Sequence, residues 1–241
     1  MNKKKLPKYP LIWQKDDFYI KIYCSIPNIA TGIIITTDKA KFIVDPGDGI
    51  LRDLNKDYKK DEILEVSDIF ISHGHHDHLG GLWSLLTYLC VMKRTKPLNI
   101  YYPAGSPEIA SIYNAFKSVY EHEMEYNINL KSISESKTFS KKGIKIKPFK
   151  VNHREPNDNG ESVPVPSLGF KFFYNGKSIC YGGDTAYSEN LVKMAKGSDL
   201  AIIEAGALTE EEAELHMTID QASEIGETAE EYFLVHVPDG I

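Results

Sequence analysis

The chain has 241 residues, 42% of them apolar, which is enough for one large domain with a real core. Its formal net charge of −6 argues against a protein that coats nucleic acid through overall charge, although a local basic track stays open. The longest helix-like apolar stretch, Leu82 to Met92, is too short to span a bilayer, and the amino-terminal residues hold no apolar segment typical of a signal peptide. Cys24, Cys90 and Cys180 lack C-x-x-C spacing, which predicts buried reduced thiols. We therefore expect one cytoplasmic domain over residues 1–241 that does not contact a membrane.

Strand signals begin early in the chain. Residues 18–24 combine alternation with a run of β-forming residues, and two further apolar runs flank the turn at Asp38-Lys39. Beyond them, runs of strand length and of helix length follow one another between turn signals. The first half is predicted to contain strands 18–24, 32–37, 41–45, 68–72 and 98–102, and helices 50–60, 82–94 and 107–120.

The second half repeats this order of strands and helices. Asn175-Gly176 is a strong hairpin signal between two strand-like runs. The predicted elements are strands 143–151, 168–174, 178–181, 200–204 and 232–236, and helices 189–196 and 219–230. Two such halves predict an α/β fold in which two mixed β-sheets pack face to face with helices outside.

The stretch 73–78 reads His-Gly-His-His-Asp-His and follows the predicted strand 68–72. A helical pattern comes after it, so the cluster should lie on a loop at the carboxyl end of that strand. Three imidazoles and a carboxylate with H-x-H-x-D-H spacing would be awkward as ordinary packing. Neutral imidazole and carboxylate are the usual ligands of zinc and its neighbours. The loop therefore predicts a metal site.

Other polar residues fall where a predicted strand ends. If the strands share one common edge, these side chains converge on the metal loop. The residues are Asp45, His73, His153, Asp184, Glu204 and His236.

The order of these motifs resembles the metallo-β-lactamase-fold hydrolases over nearly the whole chain. The resemblance implies a four-layer αβ/βα sandwich that binds two divalent metal ions. It also implies the ligands by position: His73, His75 and His153 for one metal, Asp77, His78 and His236 for the other, and Asp184 bridging the two.

Three short segments place the resemblance closer to ribonuclease Z and its phosphodiesterase relatives. They are Tyr181-Gly-Gly-Asp-Thr185, Ile202-Ile-Glu-Ala205 and His216-Met-Thr218. In that family the Glu and the His of the last two segments pair beside the metals, which implies that Glu204 orients His216. Thr218 and Gln221 form a capping box, and this pattern independently places His216 on a loop just before a helix.

The implied activity is phosphodiester hydrolysis by a hydroxide that two metal ions share. Zinc is the default because five of the seven implied ligands are histidines, while Mn²⁺ and Fe²⁺ also fit the mixed shell. Asp77 would ligate a metal and also orient the nucleophile or accept its proton, and His216 would act as the general acid. Asp45 fits two roles equally well, a turn residue or an acceptor for a ligand imidazole. The implied substrates are RNA ends or small cyclic or diester phosphates.

The sequence departs from ribonuclease Z in three respects: Ile203 and Met217 stand where that family usually has His and Ser, and an arm is missing. The long basic arm with which that family grips transfer RNA is not found, since residues 154–183 are mostly needed for the predicted hairpin. A turn-rich segment, 155–161, could instead close over a small substrate. Two other functions stay open: hydrolysis of carbon esters, lactones, lactams or thioesters on the same metals, and a non-enzymatic metal-binding or sensing protein. The oligomeric state also stays open, and a homodimer is compatible with the sequence.

A run of basic residues precedes the predicted site. Its lysines alternate around Ile146, which places several on one strand face. They can be interpreted as a solvated sheet edge or as a track that guides phosphates towards His153. The basic residues are Lys131, Lys137, Lys141, Lys142, Lys145, Lys147, Lys150 and Arg154.

Overall fold

The computed structural model describes residues 8–24, 29–135, 137–209 and 211–238. The strands of its first half are β1 (Leu11–Lys15), β2 (Phe18–Cys24), β3 (Thr31–Thr36), β4 (Lys41–Val44), β5 (Asp68–Phe70), β6 (Leu98–Pro103) and β7 (Ile128–Ile133). Those of its second half are β8 (Phe139–Lys141), β9 (Ile144–Lys150), β10 (Arg154–Pro156), β11 (Ser162–Pro164), β12 (Leu168–Tyr174), β13 (Lys177–Tyr181), β14 (Leu200–Glu204) and β15 (Glu231–Val235). The helices are α1 (Ile50–Asp57), α2 (Lys60–Leu64), α3 (His76–Leu79), α4 (Leu82–Val91), α5 (Pro107–Tyr120), α6 (Glu189–Ala195) and α7 (Ile219–Gly226).

The strands form two large mixed sheets. The first has the order β1 to β7, antiparallel from β1 to β4 and parallel from β4 to β7. The second has the order β15-β14-β13-β12-β9-β8, with β13, β14 and β15 parallel and the other pairs antiparallel. Strands β10 and β11 form a separate two-stranded hairpin.

The main apolar core lies between the two sheets. Phe70 on β5 contacts Phe170 and Phe172 on β12, with ring centroids 5.7 Å and 5.5 Å away. All three rings are fully buried, so truncating any one of them to alanine should cost about 3–5 kcal/mol. Strand β3 alternates between two cores because Ile33 and Ile35 face this interior while Ile34 faces the other way.

Helices cover the outer face of each sheet. Helices α1, α4 and α5 pack on the first sheet, where Leu54, Leu86 and Phe116 join the core that contains Ile34. Helices α6 and α7 pack on the second sheet through Leu191 and Ile225. The result is four layers, helix–sheet–sheet–helix, and the predicted α/β fold with two packed mixed sheets is confirmed.

Several expectations about local structure were wrong. Strands β1, β7, β8, β10 and β11 and helices α2 and α3 were not predicted, and the turn-rich segment 155–161 contains the end of β10 and the turn that joins it to β11. Strand β8, which contains Lys141, is the edge strand of the second sheet and pairs with β9 only over residues 144–146, so both interpretations of the basic run stay open. Cys90 and Cys180 are buried as expected, but Cys24 is only partly buried. Among the described residues, no helix is long and apolar enough to cross a membrane.

Candidate metal centre

The expected convergence of strand ends occurs. Asp45 follows β4, His153 follows β9, Asp184 follows β13, Glu204 ends β14 and His236 follows β15. The loop after β5, next to β4 in the first sheet, also reaches this point, and it contains the one-turn helix α3. In that turn the backbone N–H groups of His78 and Leu79 both donate to the carbonyl of His75, which packs the loop's side chains into a small volume.

Three histidines form the first cluster. His75 Nδ1 and His153 Nε2 are 3.2 Å apart. The His73 ring lies 4.6 Å from each of the other two rings, centroid to centroid. His73 and His153 are buried, and burial lowers the pKa of His153 to about 4. Its ring is therefore neutral at pH 7, the form that binds a metal.

Two carboxylates and two histidines form the second cluster. His78 Nε2 lies 3.3 Å from Asp77 Oδ2 and 3.1 Å from Asp184 Oδ1. His236 Nε2 lies 3.1 Å from Asp77 Oδ2 and 3.4 Å from Asp184 Oδ2. Asp184 Oδ2 is also 3.8 Å from Nε2 of His73, so this one carboxylate faces both clusters.

The backbone around the site is unusual at three positions. Asp45 and His236 have φ of 50° and 55°, in the left-handed region, where Asp and His are tolerated better than most residues. Gly183, which precedes Asp184, has φ of 62°, and a Cβ there would lie 2.9 Å from Cβ of Ser72. Strained backbone of this kind concentrates at functional sites, where the surrounding structure holds it in place.

A buried carboxylate outside the two clusters orients one of their histidines. Asp45 Oδ1 accepts from the backbone N–H of Ser72 at 2.6 Å. Its Oδ2 accepts from the hydroxyls of Ser72 and Tyr181, each at 2.6 Å, and lies 2.9 Å from Nδ1 of His78. Of the two roles left open for Asp45, this geometry favours the acceptor for an imidazole. Ser72 and Tyr181 were not predicted to take part.

These hydrogen bonds determine which ring nitrogens stay free. Because both Asp45 oxygens are acceptors, His78 donates through Nδ1, and in its neutral form the lone pair is on Nε2. Ser72 Oγ donates to Asp45, so it accepts from Nδ1 of His73 at 3.0 Å. In both histidines the free nitrogen is the one that faces Asp184.

The donor atoms of the two clusters fit a metal ion. Nε2 of His73, Nε2 of His78 and Oδ1 of Asp184 are buried without a hydrogen-bond partner among the described residues. Leaving a buried polar atom unsatisfied costs about 1–3 kcal/mol, so such atoms rarely persist without a purpose. Neutral imidazole nitrogens and carboxylate oxygens that face one another fit a divalent cation.

The two predicted partners Glu204 and His216 lie beside the clusters. The buried Glu204 Oε1 accepts from the backbone N–H groups of Thr185 at 3.1 Å and Met217 at 3.2 Å, and lies 3.2 Å from Nδ1 of His216. Its Oε2 accepts from the N–H of Gly206 at 2.6 Å. Burial raises the pKa of Glu204. Burial also opposes protonation of His216, but the bond to Glu204 and the negative charges of Glu204 and Asp184 together outweigh it and raise the pKa of His216.

His216 stands where the sequence places it. Thr218 caps α7 and forms the predicted capping box with Gln221. The His216 ring stacks on His236 with centroids 5.1 Å apart, and it lies 5.8 Å from the ring of His153. The structure thus brings all nine residues predicted for metal binding and catalysis into one site. They are His73, His75, Asp77, His78, His153, Asp184, Glu204, His216 and His236.

One contact at the site has no counterpart in the sequence analysis. Glu155, on the β10–β11 hairpin, places Oε2 3.0 Å from Nε2 of His75. The same hairpin borders a cleft of about 410 Å³ beside His153, which Lys150 and Arg154 also line. No pattern in the sequence pairs Glu155 with a residue 80 positions earlier.

Comparison with known proteins gives consistent matches. Residues 40–237 match the family described as "Beta-lactamase superfamily domain". The ribonuclease Z of Thermococcus sibiricus is 30% identical over an alignment of 226 residues, and the match covers 77% of this chain and 72% of that protein.

Two solved structures share the fold. The metallo-β-lactamase fold protein YhfI from Bacillus subtilis has a TM-score of 0.74 at 18% identity, over 94% of this chain and 89% of that one. The short form of human tRNase Z, ELAC1, has a TM-score of 0.70 at 22% identity, over 91% of this chain and 93% of that one.

Proposed function

The chain belongs to the β-lactamase superfamily domain family and is a metal-dependent hydrolase, and from this premise we propose that it is a binuclear phosphodiesterase. Its substrates would be RNA ends or small diester phosphates. One observation carries the proposal: two adjoining clusters of ligand side chains share Asp184, with a buried Glu–His pair directly beside them. The relatives named ribonuclease Z support the choice of a nucleic-acid phosphodiester.

Each ligand has an assigned position in this proposal. His73, His75 and His153 would hold one divalent cation, Asp77, His78 and His236 the other, and Asp184 would contact both. When bound, the cations would supply a hydroxide at neutral pH from a shared water and would neutralise the phosphate oxygens. Zinc is the proposed metal because five of these seven ligands are histidines.

The chain's own residues would supply the proton transfers. Asp77 lies between His78 and His236 and has an exposed edge, so it could orient the attacking group and accept its proton. His216 is held through Nδ1 by Glu204, which leaves Nε2 for the leaving alkoxide. Because Glu204 raises the pKa of His216, the ring stays protonated nearer to neutral pH, as a general acid requires.

The Glu204–His216 pair favours a phosphodiester over a carbon ester or a lactam. A phosphodiester needs a proton for its departing alkoxide, and acyl transfer depends less on such a pair. Residues 154–183 form two hairpins, β10–β11 and β12–β13, and contain no projecting arm for transfer RNA. The proposed RNA substrate is therefore an end that reaches the cleft beside His153 directly.

A substrate panel tests the proposal. The zinc-loaded protein is incubated with bis(p-nitrophenyl) phosphate, a cyclic nucleotide, a short RNA, a lactone and nitrocefin. We expect hydrolysis of at least one phosphodiester and none of the lactone or nitrocefin. Turnover confined to the lactone or nitrocefin would reassign the activity to carbon esters or lactams. Full zinc content without any turnover would make the protein a non-enzymatic binder.

A further inference from the structure

His75 is the histidine of the site whose orientation depends on a surface hairpin. Buried partners hold two of the others: Ser72 holds His73, and Asp45 holds His78. His75 instead contacts Glu155, and the two side chains are 37% and 51% exposed. The partner of this candidate ligand thus lies outside both large sheets.

Each ring nitrogen of His75 contacts another side chain. His153 lies 3.2 Å from its Nδ1, and Glu155 lies 3.0 Å from its Nε2. His153 and Glu155 are two residues apart along an extended segment, and alternate residues of a strand point to the same side. One short stretch of backbone therefore places a candidate ligand on one side of the His75 ring and a carboxylate on the other.

The hairpin that carries Glu155 is tied to itself and to the site. Arg154 Nε donates to Oγ of Ser162 at 2.8 Å, across the hairpin. The side-chain oxygen of Asn157 accepts from the backbone N–H of Glu161 at 2.9 Å, and the N–H of Val165 donates to the carbonyl of His153 at 3.0 Å. Glu155 is thus presented from a paired strand of a hydrogen-bonded hairpin.

We propose that Glu155 is a positioning residue that fixes the His75 tautomer, so that the β10–β11 hairpin controls cation affinity at the His73–His75–His153 cluster. A carboxylate can only accept, so His75 donates from Nε2 and keeps its Nδ1 lone pair. That lone pair lies on the side of His153, where a cation would be held. Without Glu155, the neutral ring can carry its single proton on Nδ1 instead of Nε2 or rotate towards solvent, and either change removes one ligand.

This inference rests on the metal binding of the proposed function but not on its substrate. Outer partners of ligating histidines typically change metal affinity about 10- to 100-fold when they are removed. We expect Glu155→Ala to weaken the binding of one of two zinc ions by that factor. Glu155→Gln should recover part of the loss because its amide oxygen still accepts from Nε2. Asp158→Ala removes the same charge from an exposed turn position of the same hairpin and is the matched control.

The first measurement is zinc binding by the full chain in competition with a chromophoric chelator. Weakened binding in Glu155→Ala, partial recovery in Glu155→Gln and wild-type binding in Asp158→Ala would support the inference. Unchanged binding in Glu155→Ala would overturn it. Equal losses in Glu155→Ala and Asp158→Ala would also overturn it, because hairpin charge rather than the His75 contact would then set the affinity.

The second measurement does not involve metal. Long-range ¹H–¹⁵N correlation spectra of the zinc-free protein report which ring nitrogen of each histidine carries the proton. We expect His75 to be protonated at Nε2 in the wild type and to lose that preference in Glu155→Ala. A His75 ring protonated at Nδ1 in the wild type would refute the inference directly.

Activity at saturating zinc separates this role from catalysis. A residue that acts only through His75 should leave kcat near the wild-type value once zinc is in excess, while more zinc is needed to reach it. A low kcat of Glu155→Ala at full zinc occupancy would show that Glu155 acts on the substrate instead. If the wild-type protein cleaves no diester, the proposed function fails, whereas the zinc-binding and NMR results still decide this inference.

Discussion

The substitution Asp45→Asn tests how the interior of the protein prepares the metal site. Asp45 is fully buried, and its Oδ2 is surrounded by three donors: the hydroxyls of Ser72 and Tyr181, and Nδ1 of His78. Asparagine can keep the bond from the Ser72 N–H to Oδ1 but presents an NH₂ group to those donors. The two hydroxyls can rotate and accept, whereas the imidazole must lose its proton from Nδ1.

The magnitude follows from that change of tautomer. A neutral His78 that no longer carries a proton on Nδ1 carries it on Nε2, which faces Asp184 Oδ1 at 3.1 Å and is the nitrogen available to a cation. A hydrogen bond to a charged group contributes about 1.5–3 kcal/mol. Since about 1.4 kcal/mol corresponds to a factor of ten, we expect zinc affinity at this position to fall about 10- to 150-fold.

Zinc binding by chelator competition measures the effect. The matched control is Asp68→Asn, because Asp68 is also buried, accepts from Ser67 and Asn99, and lies at the start of β5, away from the metal loop. Both variants should lose some stability, but only Asp45→Asn should lose zinc affinity. Wild-type affinity in Asp45→Asn, or equal losses in the two variants, would contradict the argument.

Four further outcomes are expected. His216→Ala should lower kcat about 10²- to 10⁴-fold while it retains zinc, whereas Asp184→Ala should lose zinc itself; equal zinc loss would assign His216 to the ligands. The rate of hydrolysis should fall as pH rises through the raised pKa of His216, and Glu204→Gln should move this decrease to lower pH. An unchanged pH profile would show that the Glu204–His216 pair does not set it. Restoring zinc to the stripped protein at 100 times Kd should add about 2.7 kcal/mol of stability per site, read as an increase in Tm by calorimetry. KM for a short RNA should rise with salt concentration, and Lys150→Ala should reduce the slope of log KM against log salt concentration by about 0.7 if that lysine contacts one phosphate. A KM that does not depend on salt would show that the basic residues do not guide the substrate.

Much of the fold was predictable because its central strands have strong local signals. Residues 18–24 and the hairpin at Asn175-Gly176 combine β-forming residues with clear turns, and both were predicted with the observed strand bounds to within a residue. The elements that were missed have weak signals. Strand β7 is an edge strand whose residues are half-buried or exposed, and β10 and β11 have three residues each, with Pro156 and Pro164 among them. Such strands form because the fold places a neighbouring strand where they can pair with it.

Helix lengths were overestimated for a related reason. Helix α4 was expected to reach Arg94 but ends at Val91, and Lys93 adopts a left-handed conformation with φ of 59°. Arg94 is then buried and donates to the carbonyls of Lys96 and Pro97. Helix propensity alone does not predict where this helix ends, because the hydrogen bonds that stabilise its end are made with residues outside the helix.

The residues that converge in the candidate site could be predicted from the sequence, but the buried side chains that hold them could not. A histidine or aspartate at the end of a predicted strand can be recognised in the sequence, and the order of these residues along the chain indicated the family. The bond from Tyr181 to Asp45 joins residues 136 positions apart. It depends on how the two sheets face each other, a property that no local pattern records.

The division of the site between the sheets links metal binding to the fold. The loop after β5 belongs to the first sheet and contributes His73, His75, Asp77 and His78, while His153, Asp184 and His236 follow strands of the second sheet. The Tyr181–Asp45 bond spans the same junction, so the sheets are already held in register where the ligands meet. The cations would then bind a preformed gap and would cross-link the two halves of the core. The β10–β11 hairpin lies at this junction outside both sheets, so changes at Glu155 would alter metal affinity without disturbing the core.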